Sequence, residues 1–333
     1  MSSSESSESR SRIAWHDSTS GNLRGLNSAT FVGSLTYPRA LNARGAFERH
    51  HDLIRERLVQ HPAEGLLAMV LDPAGLEVSG LWLKAKPDRT STAILGRHER
   101  CDLHTPASGA DVSLRHVAIL ARLVDGRPRF RVLDLASGTG FVDEEQRPQV
   151  AIGATGPCFL GVGSSVLFLA PTPLELPADP KESFTTLPER IVVAGPAKPK
   201  AKRRPAAQGD ITYVHTFAGP VVLDEDAERL GAEPVGFLSL ESEDQVDLRP
   251  IGAKALRRGV LVGRYDRCKL RSPTNTLSRV HLLVVGDGDQ ILAVDTASTN
   301  GVWRGKEEVR ATTISPGDRL HLGQDVTVTW TST

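Results

Sequence analysis

Residues 131–140 read RVLDLASGTG and residues 292–301 read LAVDTASTNG. Each string runs from apolar residues to an Asp, then an Ala-Ser pair, then a closing Gly. Taken alone, the first has the form of a strand and glycine-rich cofactor loop at the start of a doubly wound α/β enzyme. Such a fold needs a helix directly after the loop and then a strand ending in an acid. Residues 141–165 instead read FVDEEQRPQVAIGATGPCFLGVGSS, where Pro148, Gly153, Gly156 and Pro157 interrupt any helical period. The string is better read beside its second copy.

Two further blocks repeat. ILGRHERCDL at 94–103 lines up with LVGRYDRCKL at 261–270, in the frame Gly-Arg-x-x-Arg-Cys-x-Leu. VSLRHVAIL at 112–120 lines up with LSRVHLLVV at 277–285, both carrying Ser-x-x-His before an apolar run. The blocks keep their order while their spacing drifts, as expected when loops vary and strands do not. The chain therefore holds one domain twice. Residues 63–172 form the first copy and 211–333 the second, with a short lead-in. Residues 1–25 are expected to be a disordered tail, and 26–62 an extension with an amphipathic helix. The Pro/Ala/Lys-rich stretch 173–210 reads as an extended linker, whose basic cluster Lys198–Arg204 is a solvated charge run.

Within each copy the apolar segments are short and separated by Gly, Asp and Pro turns. GLLAMVL, LEVSGLWLKA and FRVLDL in the first have counterparts such as VGFLSLE and QILAVD in the second. The fold class is all-β, two β-sandwiches in tandem. The exception is 45–60, GAFERHHDLIRERLVQ, where Phe47, His51, Ile54 and Leu58 mark a helical stripe. His50 and His51 are adjacent, so they cannot share a helix face as a ligand pair and read as surface and packing residues.

With 40 basic and 40 acidic residues, the 333-residue chain gives no global field to favour nucleic acid or a membrane surface. No apolar run approaches the roughly 20 residues that span a bilayer, and the serine-rich start lacks the apolar core of a signal peptide. Cys101, Cys158 and Cys268 are too few and scattered for a disulfide framework or zinc site and read as buried small apolar residues. A cytoplasmic protein with no cofactor and no metal is expected.

The repeated blocks resemble the forkhead-associated (FHA) domain, a phosphothreonine-binding β-sandwich. The second copy carries Gly263-Arg264, Ser278-Arg279-x-His281, Asp295-x-x-Ser298-Thr299-Asn300-Gly301 and Gly317-Asp318; Val302 stands where a Thr often follows the last Gly. The chemistry suits these residue types. A phosphothreonine carries about −1.5 to −2 charges and three acceptor oxygens. Arg264 offers a fork, Ser278 a hydroxyl and Arg279 a second cation, while Thr299 and Asn300 lie beside them, Asn300 suited to a peptide backbone. The resemblance makes His281 architectural, and Gly263 and Gly301 are expected where backbones approach closely or φ is positive.

The first copy retains Arg97, Ser113, Arg115 and Thr139 as a weaker candidate site, with His116 architectural. Its arginine sits two places after the serine, and Gly138 and Thr139 stand where the other copy has Thr299 and Asn300. The resemblance implies a non-enzymatic adaptor that binds threonine-phosphorylated proteins, a Ser/Thr kinase or its substrates among them, without nucleic acid or membrane. The alternatives are a structural FHA-like scaffold for unphosphorylated partners and, for RVLDLASGTG alone, an S-adenosylmethionine methyltransferase. Thr185 and Thr186 in the linker are candidate phosphorylation sites for self-recognition.

Overall fold

The short apolar runs pair into four sheets, in a computed structural model that describes residues 12–15, 42–72, 77–105, 111–188, 192–194, 234–243 and 245–333. One sheet of the first copy runs in the order Glu77–Lys84, Gly65–Leu71, Ser165–Thr172, Cys158–Val162, Phe141–Val142, Pro148–Gln149. Its counterpart in the second copy runs Gln245–Ile251, Gly236–Ser242, Val326–Ser332, Arg319–Leu322, Val302–Arg304, Glu307–Glu308. The other sheets also match strand for strand. Leu103–His104, Ser91–Gly96, Val117–Val124, Arg127–Asp134 and Ala151–Ala154 correspond to Leu270–Arg271, Val260–Gly263, Leu282–Asp287, Gln290–Asp295 and Ala311–Ile314. The repeat seen in the letters is thus a repeat of topology.

Strand Arg127–Asp134 pairs antiparallel with both Val117–Val124 and Ala151–Ala154. The loop after it enters another strand, Phe141–Val142. This is not the parallel sheet and glycine-loop helix that a methyltransferase reading of RVLDLASGTG requires.

Side chains alternate across each strand, and here both faces are covered. Val117, Ile119 and Ala121 enter the core of the first sandwich, while Ala118 and Leu120 point the other way. In the second copy Leu282 and Val284 enter its own core, and Leu283 and Val285 point out. The outward sets meet. Ile94, Cys101, Ala118, Leu120, Leu133, Leu135 and Ala136 pack on Leu261, Cys268, Val280, Leu283, Val285, Leu292, Val294 and Ala297 in one buried cluster. Burying each Leu, Ile or Val side chain is worth about 1.5–3 kcal/mol, so separating the two inner sheets is costly. Charged groups border it: Arg310 Nη2 donates to both carboxylate oxygens of Asp102 at 2.8 Å. Further along, Arg131 Nη1 donates to Gly286 O at 2.6 Å and Arg122 Nη1 to Asp287 O at 3.1 Å.

Helix α1 (Ala43–Gln60) begins two residues earlier than the stripe suggested, where Asn42 Oδ1 accepts from Gly45 N at 2.8 Å. It buries Phe47, His51, Ile54 and Leu58 with Ala46, laying them on the outer face of the first sandwich. His51 Nε2 donates to Ser183 Oγ at 2.8 Å, and that hydroxyl donates onward to Pro177 O at 2.9 Å. His50 Nε2 lies 3.0 Å from Asp72 O.

The stretch read as an extended linker departs from that expectation at both places where it is described. Residues 173–188 carry helix α2 (Pro180–Thr185), capped by Asp179, and Leu174, Leu176, Phe184 and Leu187 pack on the α1 cluster. The prolines and charges of this segment masked four apolar residues with a surface to cover. Thr185 and Thr186 are exposed, with their hydroxyls donating to Glu182 O at 2.9 and 2.8 Å. Val192–Ala194 then joins the inner sheet beside Ala151–Ala154. The expected disordered tail likewise contains a strand, Arg12–Trp15, parallel to Glu77–Lys84; an unpaired sheet edge templates such addition. The basic cluster 198–204 and the lead-in 211–233 lie outside the described residues. A further short helix, α3 (Ala253–Arg258), precedes strand Val260–Gly263.

Cys101 Sγ donates to Leu114 O and Cys268 Sγ to Arg279 O, each at 3.3 Å, and burial pushes both thiols up to about 12. Cys158 is buried as well. At pH 8 a thiol dye should therefore label none of the three in the time that labels all three in denaturant. Rapid labelling of Cys101 and Cys268 in the native chain would show that the shared face opens.

Candidate functional site

The loop after each inner strand is stapled by its own sequence. In the second copy Ser298 N donates to Asp295 Oδ1 and Gly301 N to Ser298 Oγ, both at 3.0 Å. In the first, Ser137 N donates to Asp134 Oδ1 at 3.2 Å and Gly140 N to Ser137 Oγ at 2.8 Å. The residue between is left-handed in each, Ala297 at φ +60 and Ala136 at φ +56. For an alanine that conformation costs about 1–2 kcal/mol.

A buried histidine brackets each loop. His281 Nδ1 accepts from Ser278 N at 3.1 Å, and its Nε2–H donates to Gly301 O at 3.0 Å. His116 does the same, from Ser113 N at 3.0 Å and to Gly140 O at 2.7 Å. An acceptor at Nδ1 and a donor at Nε2 fix a neutral ring in one tautomer. Burial, with Arg115 adding to it, lowers His281 to about 4. The glycine before each arginine is required by close approach: a Cβ on Gly263 would stand 2.4 Å from Arg279 O, and one on Gly96 2.3 Å from Leu114 O. Gly301 adopts φ +74.

On this frame the second copy brings Arg264, Ser278, Arg279, Thr299 and Asn300 together. Arg264 N donates to Ser278 O at 3.1 Å, which seats the arginine beside the serine. Its side chain is exposed and, among the described residues, makes no hydrogen bond. Ser278 Oγ accepts from Thr299 N at 2.9 Å and lies 3.4 Å from Thr299 Oγ1. Asn300 Nδ2 donates to Thr276 O at 2.7 Å, leaving its Oδ1 unpaired among the described residues. Arg279 is exposed on the same rim. The result is an exposed cationic edge over a hydroxyl and an amide, on a rigid base.

The first copy keeps the frame and loses contacts. Arg97 and Ser113 occupy the matching positions, but Leu114 stands where Arg279 is and Gly138 where Thr299 is. Thr139 Oγ1 reaches Asp111 O at 3.3 Å, a longer version of the Asn300–Thr276 tether. Arg115, expected as the second cation of this site, is turned elsewhere. Its repeat partner is Val280, which faces the shared core, and Arg115 follows the same direction to a site only 8% exposed. There its Nε and Nη2 donate to Ala297 O of the second copy at 3.0 and 2.6 Å.

Two further residues were not singled out as site candidates. Arg100 Nη1 donates to Ser298 O at 2.6 Å and Thr299 O at 2.5 Å. Its repeat partner, Arg267, donates to Ala136 O at 3.3 Å and Ser137 O at 3.4 Å. The sequence carries the signal for both, since the second Arg of Gly-Arg-x-x-Arg-Cys occurs in each copy.

The family model for the FHA domain matches residues 260–323. That segment is an FHA domain. The first sandwich has the same strand order. FHA domains are binding modules whose members recognise phosphothreonine peptides. Among solved structures, the chain is similar to the first FHA domain of Mycobacterium tuberculosis Rv1747, at 25% identity over 29% of this chain and 97% of that one, TM-score 0.24. It is also similar to the FHA domain of Chlamydia trachomatis CT664, at 18% identity over 29% and 97%, TM-score 0.26. A third is Mycobacterium tuberculosis EmbR in complex with a low-affinity phosphopeptide, at 22% identity over 29% and 24%, TM-score 0.25. The comparison with curated proteins found no match.

The histidine bracket gives a pH test. An unfolded histidine titrates near 6.5, whereas folded His281 titrates near 4. Between those values the unfolded chain binds the extra proton, so stability falls as pH drops through this window and is retained above it. The loss from this ring is on the order of 3 kcal/mol. Denaturant titrations from pH 7 to 4 should show this slope reduced by one proton in His281→Gln. Ring nitrogen spectra at pH 5.5 should show a neutral Nε2–H tautomer.

Proposed function

We propose that this chain is a phosphothreonine-dependent adaptor, with recognition carried by its second FHA domain. The observation behind this reading is the exposed guanidinium of Arg264, unpaired among the described residues, beside the buried hydroxyl of Ser278, with Arg279 on the same rim. A phosphate placed there meets two cations and a hydroxyl. Each charge-assisted hydrogen bond contributes about 1.5–3 kcal/mol. Thr299 and Asn300 lie where the peptide backbone passes, and the Asn300 amide joins site to loop. His281, Gly263 and Gly301 hold this frame. Partners are threonine-phosphorylated proteins, products of a Ser/Thr kinase, and the chain works in the cytoplasm without a cofactor or catalytic residue. Among the described residues, no helix is long and apolar enough to cross a membrane.

A second reading applies to the first copy, which keeps the frame but has Leu114, Gly138 and Thr139 at the contact positions. It serves as an FHA-like scaffold, and Arg97, Ser113 and Thr139 form at most a weak site.

A degenerate peptide library with a fixed phosphothreonine tests both. The full chain should retain phosphopeptides and not their unphosphorylated forms. Arg264→Ala or Ser278→Ala should weaken binding by roughly ten- to hundredfold, as loss of one charge-assisted contact implies. Arg97→Ala should change retention by less than about twofold. Undiminished binding by Arg264→Ala would falsify the site assignment, and equal retention of unphosphorylated peptides would remove the phosphoreader reading.

A further inference from the structure

Three consecutive carbonyls of the recognition loop in the second FHA domain, those of Ala297, Ser298 and Thr299, accept hydrogen bonds from arginines of the first sandwich. Arg115 holds the first through two donors, and Arg100 holds the second and third. Arg115 Nη2 also lies 3.5 Å from Ser278 Oγ.

A peptide unit is planar, so fixing a carbonyl oxygen fixes the direction of the next N–H. Holding Ser298 O aims Thr299 N–H, which donates to Ser278 Oγ at 2.9 Å. Holding Thr299 O orients the peptide plane that leads into Asn300. Holding Ala297 O orients Ser298 N–H, whose acceptor is Asp295 Oδ1 at 3.0 Å. The first of these carbonyls belongs to the left-handed Ala297, a conformation that persists where surrounding contacts over-determine it.

The contacts in the two directions differ in length. The reciprocal contacts, from Arg267 to Ala136 O and Ser137 O, measure 3.3 and 3.4 Å against 2.5–3.0 Å in the other direction. Val280 stands where a second reciprocal arginine would be needed.

We infer that Arg100 and Arg115 of the first sandwich are positioning residues for the phosphothreonine site of the second FHA domain, so that the degenerate copy works as a buttress in a single recognition unit. The inference rests on the function proposed above. It explains why a copy with eroded contact residues keeps the Arg-Cys pair at 100–101 and a buried Arg115.

The test uses the full chain and a phosphothreonine peptide selected by the wild type from the degenerate library. Arg100→Ala and Arg115→Met remove the donors, methionine preserving much of the buried apolar volume. Arg122→Ala is the control, since it removes a contact at the far end of the same face, to Asp287. Each loop variant should weaken peptide binding about tenfold, the change expected for losing a well-placed charged donor. Amide exchange at Thr299 should quicken in both, with the cores intact, while Arg122→Ala stays within about twofold of wild type in affinity. If Arg115→Met fails to fold, Arg100→Ala, whose side chain is half-buried, carries the test alone. Wild-type affinity and exchange in the loop variants, with Arg264→Ala still weakening binding, would overturn the inference and spare the function. An equal loss in Arg122→Ala would also overturn it, because the effect would belong to the whole face. A wild type that retains no phosphopeptide brings down the function and the inference with it.

Discussion

The inner sheet of each sandwich is apolar on both faces, and that constraint organises the rest of the molecule. A sheet of this kind cannot stand half in water: Leu120, Leu133, Leu283 and Leu292 would be exposed in a lone copy, and each is at most 4% exposed here. Joining the two sheets buries these residues and brings the loops that follow them to the seam. Loops at a seam carry backbone carbonyls away from water, and a buried carbonyl needs a donor. Arginine suits the task because its planar fork presents several donors and stays charged when buried. The polar contacts between the copies are in this sense a consequence of the apolar one.

The two copies differ in a way that separates frame from contact. Asp134 and Asp295, Ser137 and Ser298, and His116 and His281 make matching bonds, as do the loop-closing glycines. Any change among them leaves a buried polar group unpaired, which costs about 1–3 kcal/mol in either domain. Leu114 against Arg279, Gly138 against Thr299 and Thr139 against Asn300 sit on the surface side of the same loops. None of these exchanges removes a bond of the shared frame, so the two copies keep one fold while differing at the rim.

Much of this was legible in the letters, for physical reasons that differ by residue. The stripe of Phe47, His51, Ile54 and Leu58 revealed helix α1 because a helix on a sheet must bury one face. The histidines and glycines showed themselves through their repetition at fixed places in the blocks. HVAIL and HLLVV also held the shared face: an unbroken apolar run, without alternation, marks a strand covered on both sides. The direction of Arg115 was harder to see, since it depends on a one-residue shift between SLRH and SRVH that turns the arginine from the rim into the seam. The packed part of 173–210 was hidden because the stretch as a whole is rich in Pro, Ala and Lys, while four apolar residues, Leu174, Leu176, Phe184 and Leu187, determine where it lies.

A chain with 40 basic and 40 acidic residues shows no charge preference as a whole, yet its arginines divide sharply by environment. Arg100, Arg115 and Arg267 have carbonyl partners across the seam, so those donors are engaged before any ligand arrives. Arg264 and Arg279 stand exposed on the rim of the second FHA domain. A doubly charged ligand is drawn to cations that it can reach, so net charge says nothing about this site. The buried arginines still matter to such a ligand. On the inference drawn above, Arg100 and Arg115 hold the loop backbone for it, and the charge of the buried Arg115, whose Nη2 lies 3.5 Å from Ser278 Oγ, is screened least.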